Sequence, residues 1–229
     1  MQLLHSTKIM KTKILFFFFG IFLLSMVLHG QTTPIADPNF ESYLETHDEN
    51  GVEVSLGDEN SMGDGVDNNG LVFTERIDAV ITLNISNLNI NTLSGIADFG
   101  SLETLICNGN NLVNLDVSNN INLKSLLCGS NNLQNLDIGS NINLEDVDCS
   151  SNQISLLNVT NNTILKSINC SNNRIETIDV SQNTDLISVA VSNNRINTLN
   201  IGNNTNLESL FCTSNQITTL DTSANANLK

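Results

Sequence analysis

Basic and aromatic side chains are scarce in this chain, and their scarcity limits the functions open to it. The 229 residues contain nine Lys and Arg against 24 Asp and Glu, for a formal net charge of −15. Proteins that bind nucleic acid need basic stripes to neutralise phosphates, so nucleic-acid binding is excluded. Tryptophan is absent and Tyr43 is the only tyrosine, which leaves few rings for stacking against sugars.

Catalytic and zinc-binding motifs are also missing. The sequence contains no G-x-S-x-G, H-E-x-x-H or P-loop pattern. After residue 31 the only histidine is His47, in a polar acidic stretch. The five cysteines include no C-x-x-C pair, the short spacing that zinc sites use. We therefore expect a protein that is not an enzyme.

One long apolar run lies near the N-terminus, at residues 14–28. Three lysines precede it, and a short polar segment ending at Gln31 follows. This order is typical of a secretory signal peptide, whereas a membrane-spanning helix needs about 20 apolar residues. We predict that residues 1–31 are a signal peptide, that its cleavage leaves no transmembrane span, and that the protein is secreted or lies on the surface of a bacterium. Cleavage would leave six basic residues against 24 acidic ones, a net charge of −18.

A unit of 21 residues repeats along most of the remaining chain. Its first position recurs at Leu102, Leu123, Leu144, Leu165, Leu186, Leu207 and Leu228. A strict period of this size is typical of a solenoid. We assign residues 32–80 to an acidic N-terminal cap and residues 81–229 to the repeats. The repeats comprise a leading unit at 81–101, six full units at 102–227 and the start of a seventh, so we expect a fragment of a longer protein or a truncated gene model.

Each unit predicts two short extended segments and no helix. In the first full unit these are residues 104–108 and 114–118, where apolar and polar residues alternate as in a half-buried strand. Turns rich in Asn, Ser and Gly follow both segments. We predict a solenoid of short parallel β-strands stacked coil on coil, with few or no helices in the repeats. The cap is predicted to contain one short helix, with Asp37 as its N-cap and Pro38 as its first residue.

Cysteine and asparagine recur at fixed positions, which indicates structural roles. A position that accepts Cys or Val is a small buried apolar site, although oxidation of neighbouring thiols is an alternative. The cysteine column is Cys107, Cys128, Cys149, Cys170 and Cys212, with Val191 in the remaining slot. We predict that two asparagine columns bridge backbone groups of adjacent coils. They are Asn110, Asn131, Asn152, Asn173, Asn194 and Asn215, and Asn120, Asn141, Asn162, Asn183, Asn204 and Asn225.

The L-x-x-L-x-C-x-x-N-x-L pattern from Leu102 to Leu112 resembles the leucine-rich repeat, in the nested 21-residue variety of secreted bacterial proteins. In the leading unit, the L-S-G-I-A-D-F segment from Leu93 to Phe99 is similar to an internalin-type unit. The resemblance covers residues 81–229. It implies an extracellular or cell-surface protein that binds other molecules, often with a C-terminal sorting or anchoring domain.

The predicted strand has a concave face, which exposes the residues equivalent to 104, 106 and 108 in each coil. Exposed Ile, Leu and Phe on such a face suggest a contact surface. The alternatives are that a fragment exposes what a missing neighbour would cover, or that scattered exposed apolar residues are ordinary. The middle column is Ile106, Leu127, Asp148, Asn169, Ala190 and Phe211. We predict a monomeric binding or adhesion module that recognises a protein or glycan there. The alternative is a non-catalytic targeting or spacer region of a larger secreted enzyme.

The acidic cap contains a candidate calcium site. Eleven acidic residues and no Lys or Arg lie between Asp37 and Glu75. The oxygen ligands that calcium prefers occur at Asp58, Asn60, Asp64 and Asp67 on a Gly-rich loop. Met62 and Asn69 miss two ligand positions of an EF-hand loop, so a solvated, turn-rich loop is the alternative. No other cofactor is expected.

Overall fold

The computed structural model describes residues 30–229. The predicted signal peptide lies outside this range, apart from Gly30 and Gln31. Among the described residues, no helix has both the length and the apolar character needed to cross a bilayer.

The N-terminal cap contains two short helices and a two-stranded sheet. Strand β1 (Thr32–Pro34) pairs antiparallel with β2 (Leu71–Phe73). Helix α1 (Pro38–Glu45) follows β1, and helix α2 (Thr74–Asp78) follows β2. Helix α1 is predicted from the sequence, whereas α2 is not, because it has only five residues and no side-chain N-cap.

Asp37 fixes both the start of helix α1 and its place on the repeats. Its Oδ1 accepts hydrogen bonds from the backbone N–H groups of Asn39 and Phe40, at 3.0 and 3.2 Å. Its Oδ2 accepts a third from the N–H of Asn91, at 2.7 Å. The buried rings of Phe40 and Phe99 stack with centroids 6.1 Å apart. The helix therefore covers the apolar interior of the leading unit.

The repeats form one parallel sheet of seven strands, with one strand per coil and the strands in sequence order. Paired strands are in direct register, so equivalent residues of successive coils lie side by side. The strands are β3 (Thr82–Asn84), β4 (Thr104–Ile106), β5 (Ser125–Leu127), β6 (Asp146–Asp148), β7 (Ser167–Asn169), β8 (Ser188–Ala190) and β9 (Ser209–Phe211). A short 3-10 helix, Ile96–Asp98, lies in the leading unit.

The two extended segments predicted in each coil differ in whether they join the sheet. The first strand is three residues long rather than the five predicted at 104–108, and residues 114–118 form no strand. The reason lies in the backbone partners. The carbonyl of Val117 accepts hydrogen bonds from the backbone N–H of Asn120 in its own turn and from the side chain of Asn141 in the next coil, both at 2.9 Å, whereas a sheet would supply a backbone N–H from the next coil.

The interior of the solenoid consists of one apolar layer per coil. In the first full unit the fully buried apolar side chains are Leu102, Leu105, Cys107, Leu112 and Val117. Equivalent positions are buried along the column; Cys107, Cys128, Cys149 and Cys170 are free thiols without solvent access. These four cysteines therefore pack as small apolar side chains, as the Val191 slot predicts.

The asparagine columns join each coil to the one before it. Asn131 donates to the carbonyls of Cys107 and Cys128, at 3.0 and 3.1 Å, and its Oδ1 accepts from the N–H of Leu112. Asn141 in the second column donates to the carbonyls of Val117 and Asn120, both at 2.9 Å. The predicted bridging role is confirmed for both columns. Their side chains satisfy turn carbonyls that are shielded from water.

The turn after each strand uses one residue with left-handed backbone. Gly109 has φ +67°, and Ser130 has φ +54° one coil later. The same position holds Asn87, Ser151, Asn172, Asn193 and Ser214, all with positive φ. Gly, Asn and Ser are the residues that turn formation favours here, because they bear small side chains or hydrogen-bond locally.

Candidate functional site

The outward side chains of β3 to β9, here called the strand face, form two parallel columns, one equivalent to Thr104 and the other, the predicted middle column, equivalent to Ile106. The direct strand register places Ile106 beside Leu127 and Leu127 beside Asp148. It places Asp148 beside Asn169 and Ala190 beside Phe211 in the same way. The structure therefore brings the predicted binding residues into one continuous column across six coils.

The exposure of the middle column follows the strand alternation. Leu105, Leu126 and Val147 point inward and are fully buried. Their outward neighbours Ile106 and Leu127 are half-exposed, as are the other members as far as Ala190. Phe211 is 59% exposed, which is a large apolar area for one side chain on a protein surface.

Charge on the strand face is concentrated in β6. Asp146 and Asp148 point to the same side, two residues apart on one strand. The Oδ1 of Asp148 accepts from the backbone N–H of Ser150 at 2.9 Å. The outward residues of β3 to β9 are otherwise neutral, and none of them is Lys or Arg. From β4 onward, the strand face therefore presents an apolar pair (Ile106 and Leu127), then the acidic pair on β6, and then a neutral segment that ends in Phe211.

The predicted calcium ligands do not converge on one point. Asp58 accepts from the backbone N–H and side-chain amide of Asn60, both at 2.9 Å. Asp64 accepts from the N–H of Val66 at 3.0 Å and from the amide of Asn69 at 2.8 Å. Asp67 is exposed. Across residues 30–229, no three His, Cys, Asp or Glu side chains are grouped closely enough to hold a metal ion.

Two buried glutamates of α1 organise the acidic loop instead, and neither is among the residues predicted from the sequence. Glu45 accepts from the N–H groups of Asp64 and Gly65, at 2.7 and 2.8 Å. Glu41 accepts from those of Asn69 and Gly70, at 2.7 and 2.8 Å. Their spacing of four residues on α1 was the available signal, because it puts both carboxylates on one helix face.

A further acidic column lies on the second half of the coils. Hydrogen bonds from Ser118 lower the pKa of Asp116, and those from Ser181 and Ser223 lower the pKa of Asp179 and Asp221. Each carboxylate closes a local turn through the backbone N–H two residues ahead, at 2.9 to 3.0 Å. These aspartates therefore act within their own coils.

The combination of one short strand per coil, a continuous apolar layer and asparagine-bridged turns defines a leucine-rich repeat solenoid. A leucine-rich repeat protein of Leptospira interrogans superposes with a TM-score of 0.63 and 27% identity, over 68% of this chain and 43% of that one. Internalin C2 of Listeria monocytogenes gives a TM-score of 0.59 and 18% identity, over 86% of this chain and 95% of that one. The structural similarity is thus to internalin-like bacterial leucine-rich repeat proteins.

A third structure is the functional domain of the internalin InlJ of Listeria monocytogenes, described as including a cysteine ladder. It has 26% identity and a TM-score of 0.49, over 87% of this chain and 51% of that one. This chain spans about half the length of the InlJ domain and of the Leptospira protein. No protein-family model matches the chain, and no curated protein matches it in sequence.

Proposed function

We propose that this chain is the binding region of a secreted or cell-surface bacterial protein and that its strand face holds a protein partner. The observation that carries the proposal is the continuous middle column, in which Ile106, Leu127 and Phe211 are apolar and partly or largely exposed. A leucine-rich repeat fold exposes a row of variable side chains on a rigid frame, which suits binding rather than catalysis.

A protein partner fits this face better than a glycan does. Sugar sites commonly use the apolar faces of aromatic rings, and Phe211 is the only aromatic residue among the outward positions of β3 to β9. Leucine and isoleucine side chains instead contribute through the burial of apolar area. The acidic pair on β6 adds polarity next to that area, as in the mixed surfaces of non-obligate protein interfaces.

The test is cell-surface binding of the labelled protein with and without charge substitutions on the strand face. Cultured animal cells and bacteria serve as probes, before and after treatment with protease or glycosidase. We expect Leu127→Asp and Phe211→Asp to lower binding at least tenfold. Protease treatment should abolish binding and glycosidase treatment should not.

Leu156→Asp is the matched control, because Leu156 is 65% exposed and lies outside the strand face. It should bind as the unsubstituted protein does. Equal binding by the Leu127 and Leu156 variants would contradict the assignment of the face. Loss of binding after glycosidase treatment alone would make the partner a glycan.

Secretion is tested separately, because it depends on residues 1–31. We expect the chain expressed in a bacterium to be exported and its N-terminus to begin near residue 31. N-terminal sequencing of the exported protein checks the cleavage. Retention of residues 1–31 would instead indicate an anchor.

A further inference from the structure

A column of side chains beside the strand face alternates in charge between Ile81 and Ile187, and it continues beyond Ile187 with Glu208 and Lys229. The six members from one isoleucine to the other, here called the charge ladder, are Ile81, Glu103, Lys124, Glu145, Lys166 and Ile187. Each residue donates its backbone N–H to the carbonyl of the one before it, at 2.8 to 2.9 Å. The six side chains therefore lie one above the other, at the strand spacing of about 4.8 Å.

The order of the charge ladder is self-complementary. Read upward it is apolar, acidic, basic, acidic, basic, apolar; read downward it is apolar, basic, acidic, basic, acidic, apolar. A second copy placed antiparallel would set Glu103 against the partner's Lys166 and Lys124 against the partner's Glu145. Ile81 would meet the partner's Ile187. A two-fold interface requires this reciprocity, in which each contact occurs twice.

Apolar area lies where such a two-fold axis would pass. Ile121 and Ile142 precede the two central rungs, Lys124 and Glu145, by three residues each. They are 57% and 58% exposed, and the end rungs Ile81 and Ile187 are 55% and 43% exposed. In the next three coils the position of Ile142 holds threonine: Thr163, Thr184 and Thr205. At this position, isoleucine therefore occurs only in the two coils that lie on either side of the proposed two-fold axis.

The charged rungs are held in place within one molecule. Lys124 contacts Glu103 at 2.8 Å, and Lys166 contacts Glu145 at 2.5 Å. Exposed ion pairs of this kind contribute little to the free energy of folding. A role in recognising a partner explains the alternation better than a role in stability does. Alternating charges that face a partner in one register repel it in the neighbouring registers, which gives specificity.

We propose that the charge ladder, with Ile121 and Ile142, is an interface for a second copy of this chain, which docks antiparallel about a two-fold axis between Lys124 and Glu145. Six rungs span about 24 Å, so the contact falls at the small end of protein interfaces. The dimer is accordingly concentration-dependent rather than obligate. The isoleucines supply affinity, and the charges fix orientation. The strand face stays free, because the ladder lies on the flank of the strands.

Sedimentation velocity tests the apolar part of the proposal on protein purified from cells that express the full chain. We expect the weight-average mass to double between about 1 μM and about 500 μM, a range set by micromolar affinity. Ile121→Thr combined with Ile142→Thr should raise the dissociation constant at least tenfold. Leu156→Thr should not change it; Leu156 is 65% exposed, and its equivalents Thr198 and Thr219 show that threonine is accepted there.

Charge reversal with mixing tests the antiparallel register. Lys124→Glu places like charges opposite Glu145 of the partner, and Glu145→Lys does the same opposite Lys124, so each variant alone should be monomeric. In an equimolar mixture every charged rung is again complementary, and heterodimers should form. Lys229→Glu is the control, because it breaks the equivalent Glu208 contact outside the proposed interface.

Either of two results overturns the proposal. One is a monomer at every concentration, the state expected from the sequence. The other is a dimer that survives the isoleucine substitutions or that the mixed variants fail to restore. Far-UV circular dichroism of each variant separates loss of association from loss of folding.

Discussion

At the scale of single residues, the second asparagine column is the most demanding feature of the coil. Asn141 is fully buried and donates to two backbone carbonyls that have no sheet partner. Its own Oδ1 accepts no hydrogen bond from the described part of the chain, and the same holds for the other five members of the column. The Asn141 side chain therefore contributes to the fold through its two N–H donors and not through its oxygen.

Replacing Asn141 with alanine should destabilise the protein by about 1–3 kcal/mol, because the carbonyls of Val117 and Asn120 each lose the bond from the next coil and keep only the N–H bond of their own turn. Urea unfolding followed by circular dichroism measures the change. Asn119→Ala is the control, since Asn119 is exposed, and it should stay within about 0.5 kcal/mol of the unsubstituted protein. Similar losses for the two variants would contradict a specific role for the column.

At this scale the sequence predicted the roles of repeated residues better than those of single ones. Asn131 and Cys128 recur at fixed intervals, so packing and hydrogen bonding could be predicted from the column alone. Glu41 and Glu45 occur once each. Their role depends on a loop about 20 to 29 residues ahead, which no local pattern brings next to them.

At the scale of elements, helix α1 depends on Asp37 for its start and for its attachment to the leading unit. The carboxylate accepts three backbone N–H bonds, of which one comes from Asn91 in the repeats. Loss of an N-cap costs about 0.5–2 kcal/mol, and loss of the hydrogen bond from Asn91 to the carboxylate adds about 1.5–3 kcal/mol, the range for hydrogen bonds to charged groups.

We expect Asp37→Ala to lower the unfolding free energy by about 2–4 kcal/mol for these two reasons. It should also raise hydrogen exchange in the helix and at Asn91 together. Asp58→Ala, which removes only contacts within its own turn, should leave the exchange of the helix unchanged. Faster exchange in the helix alone would show that Asp37 does not couple the cap to the repeats.

The strands show where element prediction reached its limit. Alternation of apolar and polar residues predicted an extended segment at 104–108 and a second at 114–118, and only residues 104–106 form a strand. Both segments bury one side, so both give the same pattern. What separates them is the hydrogen-bond partner, which is a neighbouring strand in the first half and an asparagine amide in the second.

At the scale of the whole molecule, the cysteine column links stability to pH. Burial raises the pKa of Cys107 and of Cys170 to about 12, from an ordinary value of 9.0. Burial also raises the pKa of Cys128 and of Cys149 well above that value. In the unfolded chain these thiols ionise near their ordinary pKa, whereas in the fold they stay neutral.

Stability should therefore be unaffected by these thiols below about pH 9 and should fall as the pH rises from about 9 to about 12, by about 1 kcal/mol per pH unit for each thiol. Cys128→Val, patterned on Val191, should reduce this slope by one thiol's share. Urea unfolding under reducing conditions between about pH 8 and about pH 10 measures it. An unchanged slope in the variant would show that Cys128 ionises in the folded protein.

The strand face followed from the sequence at this scale, because a 21-residue period and parallel register place equivalent residues together. The charge ladder did not. Ile81 lies 22 residues before Glu103, whereas the later rungs are 21 apart. The hydrogen bonds from the N–H groups of Glu103 and Thr104 to the carbonyl of Ile81, together with the pairing of β3 and β4, show that the two rungs are neighbours.

The uniform backbone bonds between coils also bear on how the gene can change. Each coil offers the next the same carbonyls and accepts the same amide donors, so removing or duplicating one 21-residue unit leaves every junction matched. A deletion of any other length would misalign both asparagine columns beyond it. A change of repeat number in whole units can therefore lengthen or shorten the solenoid without loss of folding. We expect alleles of this gene to differ in their number of 21-residue units.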